Sequence, residues 1–476
     1  MALKNKYQRE KQQYSTDGGM TWLDVSPAKY RRGRLIEEAS EDCNTVEWRE
    51  VLGSWFCIGY EPTTEYRWVV IDGQYECVGY DKHTKEKKQQ STDGGVTWTD
   101  VVPLETKAGS LIQANSEDCG YVPPTPGGYE NQYLTFEAIE DGTFKFSKDV
   151  SYSIDNGETW TVLARGTASP TITTGNKIMW KAEISPSTTN PAYFSSTGRY
   201  NVEGNAMSLL FGDNFKGQTD LTGKNYALHA LFSNNSKLIS AENLILPAKT
   251  LTQYCYEHMF LYCTSLTTAP ELPATTLARD CYSHMFYGCS SLTTAPELPA
   301  TTLATHCYYY MFYGCSSLTT APQLPATTLA SNCYDNMFDG CTGLTTAPIL
   351  PATTLATHCY EEMFYACTSL VNAPALPATT LADYCYYRMF ISCISLTTAP
   401  ALPATTLASS CYQSMFDGCT SLTSITCLAT DISAKDCTNN WVSYVASTGT
   451  FTKASSMTSW TTGLDGIPEG WTIQNA

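Results

Sequence analysis

Cysteine and histidine are the residues of this chain whose chemistry first invites attention, with 20 Cys and 6 His among 476 residues. Thiolates and imidazoles bind zinc, and paired thiols form disulfides. Fourteen of the cysteines form two series, which start at Cys255 and Cys263 and recur once in every copy of one repeat. No CxxC pair occurs anywhere, so a zinc site built on cysteines is not expected.

Geometry argues against disulfides in the repeated region. Cys281 and Cys289 are eight residues apart, about 12 Å along a helix, whereas a disulfide needs Cα atoms within roughly 7 Å. Helices of neighbouring repeats should also be too far apart. We therefore expect the fourteen repeat cysteines to be small buried residues. The sequence leaves open whether four others form disulfides: Cys43, Cys57, Cys77 and Cys119.

The histidines suggest a metal site that the same geometry disfavours. His258 and His284 occupy one position in adjacent repeats, as His306 and His358 do two repeats apart. Helices about 10 Å apart would not bring two such imidazoles to one ion. The sequence therefore predicts no metal site and no cofactor.

The elements that carry these residues follow a repeat of twenty-six residues, the interval from Cys255 to Cys281. Leu277, Cys281 and Met285 fall at helical spacing, and the stretch 292–299 suits a brief strand followed by an extended segment bounded by prolines. Strands stack about 4.8 Å apart and helices about 10 Å, so the stack should curve with its strands on the concave side. One strand per repeat is expected around each of Leu266, Leu292, Leu318, Leu344, Leu370, Leu396 and Leu422. The predicted fold is multidomain: all-β modules at the N-terminus, then an α/β leucine-rich-repeat solenoid of seven repeats with degenerate caps.

Composition predicts the domain boundaries. The Pro- and Gly-rich stretch after Tyr121 is typical of a linker. The expected parts are duplicated β modules at 1–121, the linker at 122–132, a small β-sandwich-like domain at 133–199, an N-terminal solenoid cap at 200–250, the solenoid at 251–433 and a C-terminal cap at 434–476.

Three segments in the N-terminal third of the chain share the pattern SxDxGxTW, starting at Ser15, Ser91 and Ser153. They resemble the Asp-box, in which Asp and Gly form a hairpin turn above a packed Trp. Sialidase propellers carry several Asp-boxes, but the two intervals between these segments are unequal and do not repeat as propeller blades do. The chain also shows no convincing arginine cluster with a paired Tyr and Glu. We therefore expect no enzymatic activity.

The run CYxxMFxGCxSLTTAPxLPATTLA resembles the BspA-like leucine-rich-repeat proteins of gut Bacteroidales and of their phages, over about residues 200–476. This resemblance implies a surface adhesion or binding role.

Charge narrows the class of partner. The net charge is −17, and Arg279 and Arg388 are the only Arg or Lys between residues 251 and 431, so nucleic acid is not an expected partner. No apolar run is long enough to span a membrane. The N-terminus lacks the apolar segment of a signal peptide, which favours a virion component released by host lysis. The bacterial cell surface is the alternative location.

Comparison of the copies separates fixed positions from variable ones, and the variable pairs would form the single solvent face of each helix. Tyrosines with small polar neighbours are typical of recognition surfaces. The predicted contact face contains Asp280, His284, Tyr309, Tyr310, Tyr313, Asp335, Asn336, Glu361, Glu362, Tyr387 and Arg388. Two alternatives stay open. The positions could vary simply because nothing constrains the sequence of a solvated face, or binding could use the concave ladder of Thr293, Thr294, Thr319 and Thr320.

The sequence thus predicts a non-enzymatic recognition protein, a tail fibre or similar appendage of a phage virion that contacts a bacterial surface glycan or protein. Its N-terminal modules would contact other virion proteins, and a homo-oligomer remains open. The alternative is a bacterial surface adhesin, or a structural virion module without a ligand of its own.

Overall fold

The computed structural model describes residues 128–187 and 190–476 and, before them, residues 4–11, 13–14, 23–24, 30–40, 55–57, 65–78, 81–91, 99–101 and 106–113. Contacts divide the chain into two compact units, Met1–Thr125 and Pro126–Ala476.

The described part of the first unit consists of β-strands. They are β1 Lys4–Lys11, β2 Gln13–Tyr14, β3 Leu23–Asp24, β4 Tyr30–Ser40, β5 Trp55–Cys57, β6 Glu65–Val78, β7 Asp81–Ser91, β8 Thr99–Asp100 and β9 Thr106–Gln113. Antiparallel pairing gives the orders β4-β1-β5, β2-β3 and β6-β7-β8, with β9 also on β7. The first two SxDxGxTW segments lie outside the described residues apart from Ser91, and so do Cys43 and Cys119.

The second unit opens with a six-stranded sheet of order β13-β12-β14-β10-β16-β17. β11 and β15 form a separate two-stranded sheet. The elements of this region are β10 Leu134–Ala138, β11 Phe144–Phe146, β12 Val150–Ser153, β13 Thr161–Leu163, β14 Lys177–Lys181, β15 Phe194–Ser196, β16 Tyr200–Asn205, helix α1 Ser208–Phe211, the 3-10 turn Gly212–Asn214 and β17 Leu238–Ile245. The pair β16–β17 is parallel, and Ser240 of β17 bridges Thr268 in parallel. The sheet therefore continues into the repeats through β17.

The third SxDxGxTW segment is the turn between β12 and β13. The Ser153 hydroxyl donates to Asp155 Oδ1 at 2.7 Å and accepts the Gly157 N–H at 2.8 Å. The Thr159 N–H donates to Asp155 Oδ1 at 2.9 Å, and Trp160 Nε1 donates to the Gly157 carbonyl at 3.2 Å. Side chains of the segment thus accept hydrogen bonds from backbone N–H groups of this turn.

The repeats contain tandem turns where helices were predicted, so the helical prediction is wrong. In the described part of the second unit the only α-helix is α1, which precedes them. Hydrogen bonds alternate along each turn segment: the Met259 N–H donates within its rung to Tyr256 O at 3.2 Å, and the next N–H, of Phe260, donates to Met285 O of the following rung at 2.9 Å. Every second residue thus joins two rungs.

The period of the apolar residues explains why turns form. Apolar pairs such as Met285 and Phe286 recur every four residues, whereas a helix turns in about 3.6. Every fourth residue has a left-handed backbone, with φ of 54°, 55° and 71° at Asp280, His284 and Gly288. Gly, Asn, Asp and His adopt that region most readily. They fill many of these positions along the repeats.

The opposite side of each rung is joined by single-residue parallel bridges, such as Thr268 with Thr294 and Thr320 with Thr346. The strands expected around six of the seven repeat leucines are thus reduced to isolated bridges, and a strand of four residues, Ser424–Cys427, follows the seventh, Leu422. Because both sides are hydrogen-bonded, the rungs stack closely all round, and the rings of Phe286 and Phe312 are 5.5 Å apart. The spacing of about 10 Å between packed helices, which was expected to curve the stack, is therefore not present on the turn side.

The repeat cysteines are buried inside this stack. All sixteen cysteines from Cys255 to Cys437 are unpaired and buried, which confirms the prediction for the fourteen in the two series. The reason based on distant helices was wrong, since rungs lie close together. The second cysteine of each copy uses its thiol instead: Cys289 Sγ donates to the carbonyl oxygen of Phe260 at 3.1 Å.

The C-terminal end continues the stack with three parallel strands: β18 Ser424–Cys427, β19 Thr450–Lys453 and β20 Thr472–Asn475. Trp441, at the position of the repeat methionines, is fully buried. Its Nε1 donates to Gly466 O at 2.8 Å, and its ring stacks on Trp460 at 5.6 Å.

Candidate recognition face

The predicted contact residues lie on the tandem turns and are less exposed than a helix surface would make them. Asp280, Asp335 and Asn336 are buried. The other eight are half-buried: His284, Tyr309, Tyr310, Tyr313, Glu361, Glu362, Tyr387 and Arg388. The single solvent face of a helix was therefore the wrong geometry for them. Close stacking arranges them as ladders running from rung to rung.

The first part of this surface is aromatic. The His284 and Tyr310 rings stack at 5.2 Å with planes 5° apart, and Tyr287 stacks on Tyr313 at 4.3 Å. Tyr309 meets Tyr310 edge-on at 4.5 Å. We call Tyr287, Tyr309, Tyr310 and Tyr313 the aromatic ladder. Stacking restrains these rings before any partner arrives, so binding through them costs little conformational entropy.

The second part, on the next rungs, is acidic. Asp335, Asp339 and Glu361 are crowded with Glu362, and Arg388 Nη1 reaches Glu362 Oε1 of the neighbouring rung at 3.1 Å. Burial is the main cause that raises the pKa of Asp335, Asp339 and Glu361 to about 7. The neighbouring carboxylates contribute to the same increase. Near neutral pH these carboxyls thus present both hydrogen-bond donors and acceptors.

Asp339 gives a pH-dependent prediction. Its pKa in the folded protein, about 7, exceeds the ordinary value of 3.8. The folded protein therefore binds the proton of the Asp339 carboxyl more tightly than the unfolded chain does. The stabilisation of the folded state that this proton provides is lost as the pH rises through about 7. The variant Asp339→Asn has no such proton. We expect the stability of Asp339→Asn relative to the unchanged protein to rise from about pH 4 to about pH 7 in urea titrations and to level off above that. The exposed Glu297→Gln serves as the control, and an equal gain in both variants would contradict the assignment.

A third cluster lies where the first rungs begin and includes His258, one of the histidines that the sequence argument disfavoured as metal ligands. His258 Nδ1 is 3.3 Å from His229 Nε2, and the Glu257 carboxylate is 3.4 Å from His229 and 3.8 Å from His258. The His284 ring lies 4.8 Å from that of His258. The claim that imidazoles of adjacent rungs cannot meet is therefore wrong, because it assumed the wide spacing of packed helices. The pKa of His229 is lowered to about 4, mainly by burial and also by the nearby His258.

The threonine ladder is the other open surface. Thr293, Thr294, Thr319 and Thr320 are exposed. The Thr293 hydroxyl donates to the Thr267 carbonyl of the preceding rung at 3.3 Å, so part of its hydrogen-bonding capacity is used within the stack.

Sequence reasoning missed four members of these clusters: Tyr287, Asp339, His229 and Glu257. Tyr287 follows the Met-Phe pair of its copy, as Tyr313 does, so the repeat alignment could have placed them together. His229 precedes the first complete copy, where the repeat pattern is degenerate. It is further from His258 along the chain than one repeat length. No simple spacing rule would have paired them.

Residues 230–371, 279–414 and 357–458 match the family model of the BspA-type leucine-rich-repeat region, with six copies. The C-terminal part of the chain therefore carries BspA-type leucine-rich repeats. Such repeats suggest a protein of the surface adhesion or recognition type, and the family is typically non-enzymatic. Searches of curated proteins and of solved structures gave no match to this chain.

Within the part of the chain that the structure describes, no helix has the length and apolar character needed to cross a membrane.

Proposed function

We propose that this protein is a non-enzymatic recognition protein whose repeats bind an extended partner through the aromatic ladder and the acidic rungs beside it. The observation that carries the proposal is the aromatic ladder itself. Tyr287, Tyr309, Tyr310 and Tyr313 are half-buried and their rings contact one another across two consecutive rungs, stacked, edge-on or tilted. Unconstrained sequence variation on a solvated surface would give no reason for four tyrosines to cluster in this way.

The shape of the surface favours a polymer. Two pockets among the described residues lie in the sheet region, away from the ladder, and are lined by residues such as Ile154 and Met179 or Glu183 and Phe211. An open row of stacked rings offers many weak contacts in line, which suit an extended chain better than a small ligand. We therefore take a bacterial surface polysaccharide as the first partner and the flank of a surface protein as the second.

The proposed setting is a phage virion, in a tail fibre or similar appendage. It rests on the resemblance to repeat proteins of gut Bacteroidales and their phages. The N-terminal β modules would attach the chain to other virion proteins. A bacterial surface adhesin would use the same ladder, whereas a structural module without a ligand would not bind cells.

Two experiments test this function. Fluorescently labelled full-length protein is titrated onto intact Bacteroidales cells and onto their extracted surface polysaccharide, and saturable binding to both supports a glycan partner. Saturable binding to cells alone indicates a protein partner, and failure to bind any strain in a broad panel contradicts recognition. Immunogold labelling of virions and of cell surfaces then distinguishes the phage setting from the bacterial one.

A further inference from the structure

The strongest cluster that the proposed function leaves unused is the one between the degenerate first rung and the first complete copy. His229 belongs to the former, and Glu257 with His258 to the latter. One ligand atom from each of these three residues lies within 4.8 Å of the other two. All three side chains are partly covered, with 15%, 16% and 29% of their surface exposed for His229, Glu257 and His258.

We propose that His229, Glu257 and His258 form a binding site for a divalent transition metal such as Zn²⁺. In a tetrahedral site with bonds of about 2.0–2.1 Å, two ligand nitrogens are separated by about 3.3–3.4 Å. His229 Nε2 and His258 Nδ1 are 3.3 Å apart. The 3.4 Å from His229 Nε2 to Glu257 Oε2 fits the same arrangement.

The donor set matches the metal as well as the distances do. Two imidazoles and one carboxylate are ordinary ligands of Zn²⁺ and leave a fourth position for water. The surroundings add negative charge, since Asp280 of the following rung interacts with Glu257. His284 packs beside His258, but its Nδ1 is within 2.8 Å of the Ser283 hydroxyl, so we do not count it as a ligand.

The two facing imidazole nitrogens, His229 Nε2 and His258 Nδ1, are the part of the cluster that an ion would serve. If His229 and His258 were simply hydrogen-bonded, one of the facing nitrogens would have to carry a proton. A metal ion would satisfy both facing nitrogens at once and would link the first rung to the stack that follows it.

The test is isothermal titration of ZnCl₂ into metal-free full-length protein under reducing conditions. We expect a saturable site that Glu257→Gln and the double variant His229→Ala, His258→Ala each weaken at least about 100-fold, since losing even outer-shell partners costs roughly 10–100-fold. Glu257→Gln nearly preserves size, so it keeps the test informative if the double variant unfolds. His358→Ala is the matched control, because His358 also pairs with a glutamate, Glu361, on a distant rung.

Cobalt substitution separates this site from the many thiols of the chain. Co²⁺ in the proposed site should show d–d bands in the visible without the charge-transfer band of thiolate ligands, and Glu257→Gln should remove them. Zinc should also raise the melting temperature of the unchanged protein and not that of Glu257→Gln. Absence of saturable binding, unchanged binding in Glu257→Gln or a thiolate spectrum would overturn the proposal.

Discussion

Replacing Tyr287, Tyr309, Tyr310 and Tyr313 together by Ser is expected to abolish binding of the full-length protein to cells or polysaccharide. The four rings form one contiguous aromatic surface, so their contributions should act on the same partner. If each contributes about 1 kcal/mol, their joint loss is about 4 kcal/mol, or roughly a thousandfold in affinity. Binding isotherms of the labelled variant on intact cells measure this loss.

The control for that variant replaces exposed tyrosines elsewhere in the second unit. Tyr193 is 47% exposed and Tyr444 is 79% exposed, and neither belongs to the aromatic ladder. Tyr193→Ser with Tyr444→Ser should bind as the unchanged protein does. Circular dichroism and thermal melting show whether each variant is folded. A folded four-site variant with unchanged affinity would reject the aromatic ladder and direct attention to the exposed threonines.

Phe312→Ala is expected to destabilise the repeats by about 3–5 kcal/mol. Phe312 is fully buried, and its ring stacks between those of Phe286 at 5.5 Å and Phe338 at 5.6 Å. Hydrogen bonds from rung to rung hold the backbone on both sides, so the cavity left by the ring cannot easily close. Guanidinium titration of the full-length protein measures the loss.

Ile349→Ala is the matched control for Phe312→Ala, because Ile349 also lies in the repeats but is 69% exposed. Ile349→Ala should lower the free energy of unfolding by less than about 0.5 kcal/mol. Similar losses in the two variants would mean that the phenylalanines do not form the continuous core ladder described above.

The sequence predicted the repeat and its buried residues well, because both depend on periodicity and apolar character. Cys281, Met285 and Phe286 are buried as expected. The helix was wrong because the same residues fit a period of four as well as the slightly shorter helical period over so short a segment. The distinguishing signal was the residue type at every fourth position, with Gly288, Gly314 and Gly340 at corresponding places in successive copies.

The candidate face could be predicted only as a set of variable positions. Tyr309 and Tyr310 were identified from variation among copies, but their stacking depends on the distance between rungs, which the helical assumption made too large. That error also separated His258 from its neighbours. Correct spacing brings together both the aromatic ladder and the histidine cluster.

Both sites therefore depend on one claim, that the rungs are closely stacked turns with a left-handed residue at every fourth position. Ala366 occupies such a position with φ of 53°, where several other copies have glycine. A left-handed backbone costs a residue other than glycine about 1–2 kcal/mol, which outweighs the greater freedom of glycine in the unfolded chain. Ala366→Gly should therefore stabilise the protein.

The most direct test is the free energy of unfolding of Ala366→Gly, with Gly340→Ala as its reverse. At Gly340 an added Cβ would meet the Gly314 Cα at 3.5 Å, an ordinary contact, so backbone conformation should decide the result. We expect Ala366→Gly to gain about 0.5–1 kcal/mol and Gly340→Ala to lose about 1 kcal/mol. In a helix the signs reverse, since Gly costs about 1 kcal/mol relative to Ala. A loss in Ala366→Gly with a gain in Gly340→Ala would contradict the stacked turns and both sites built on them.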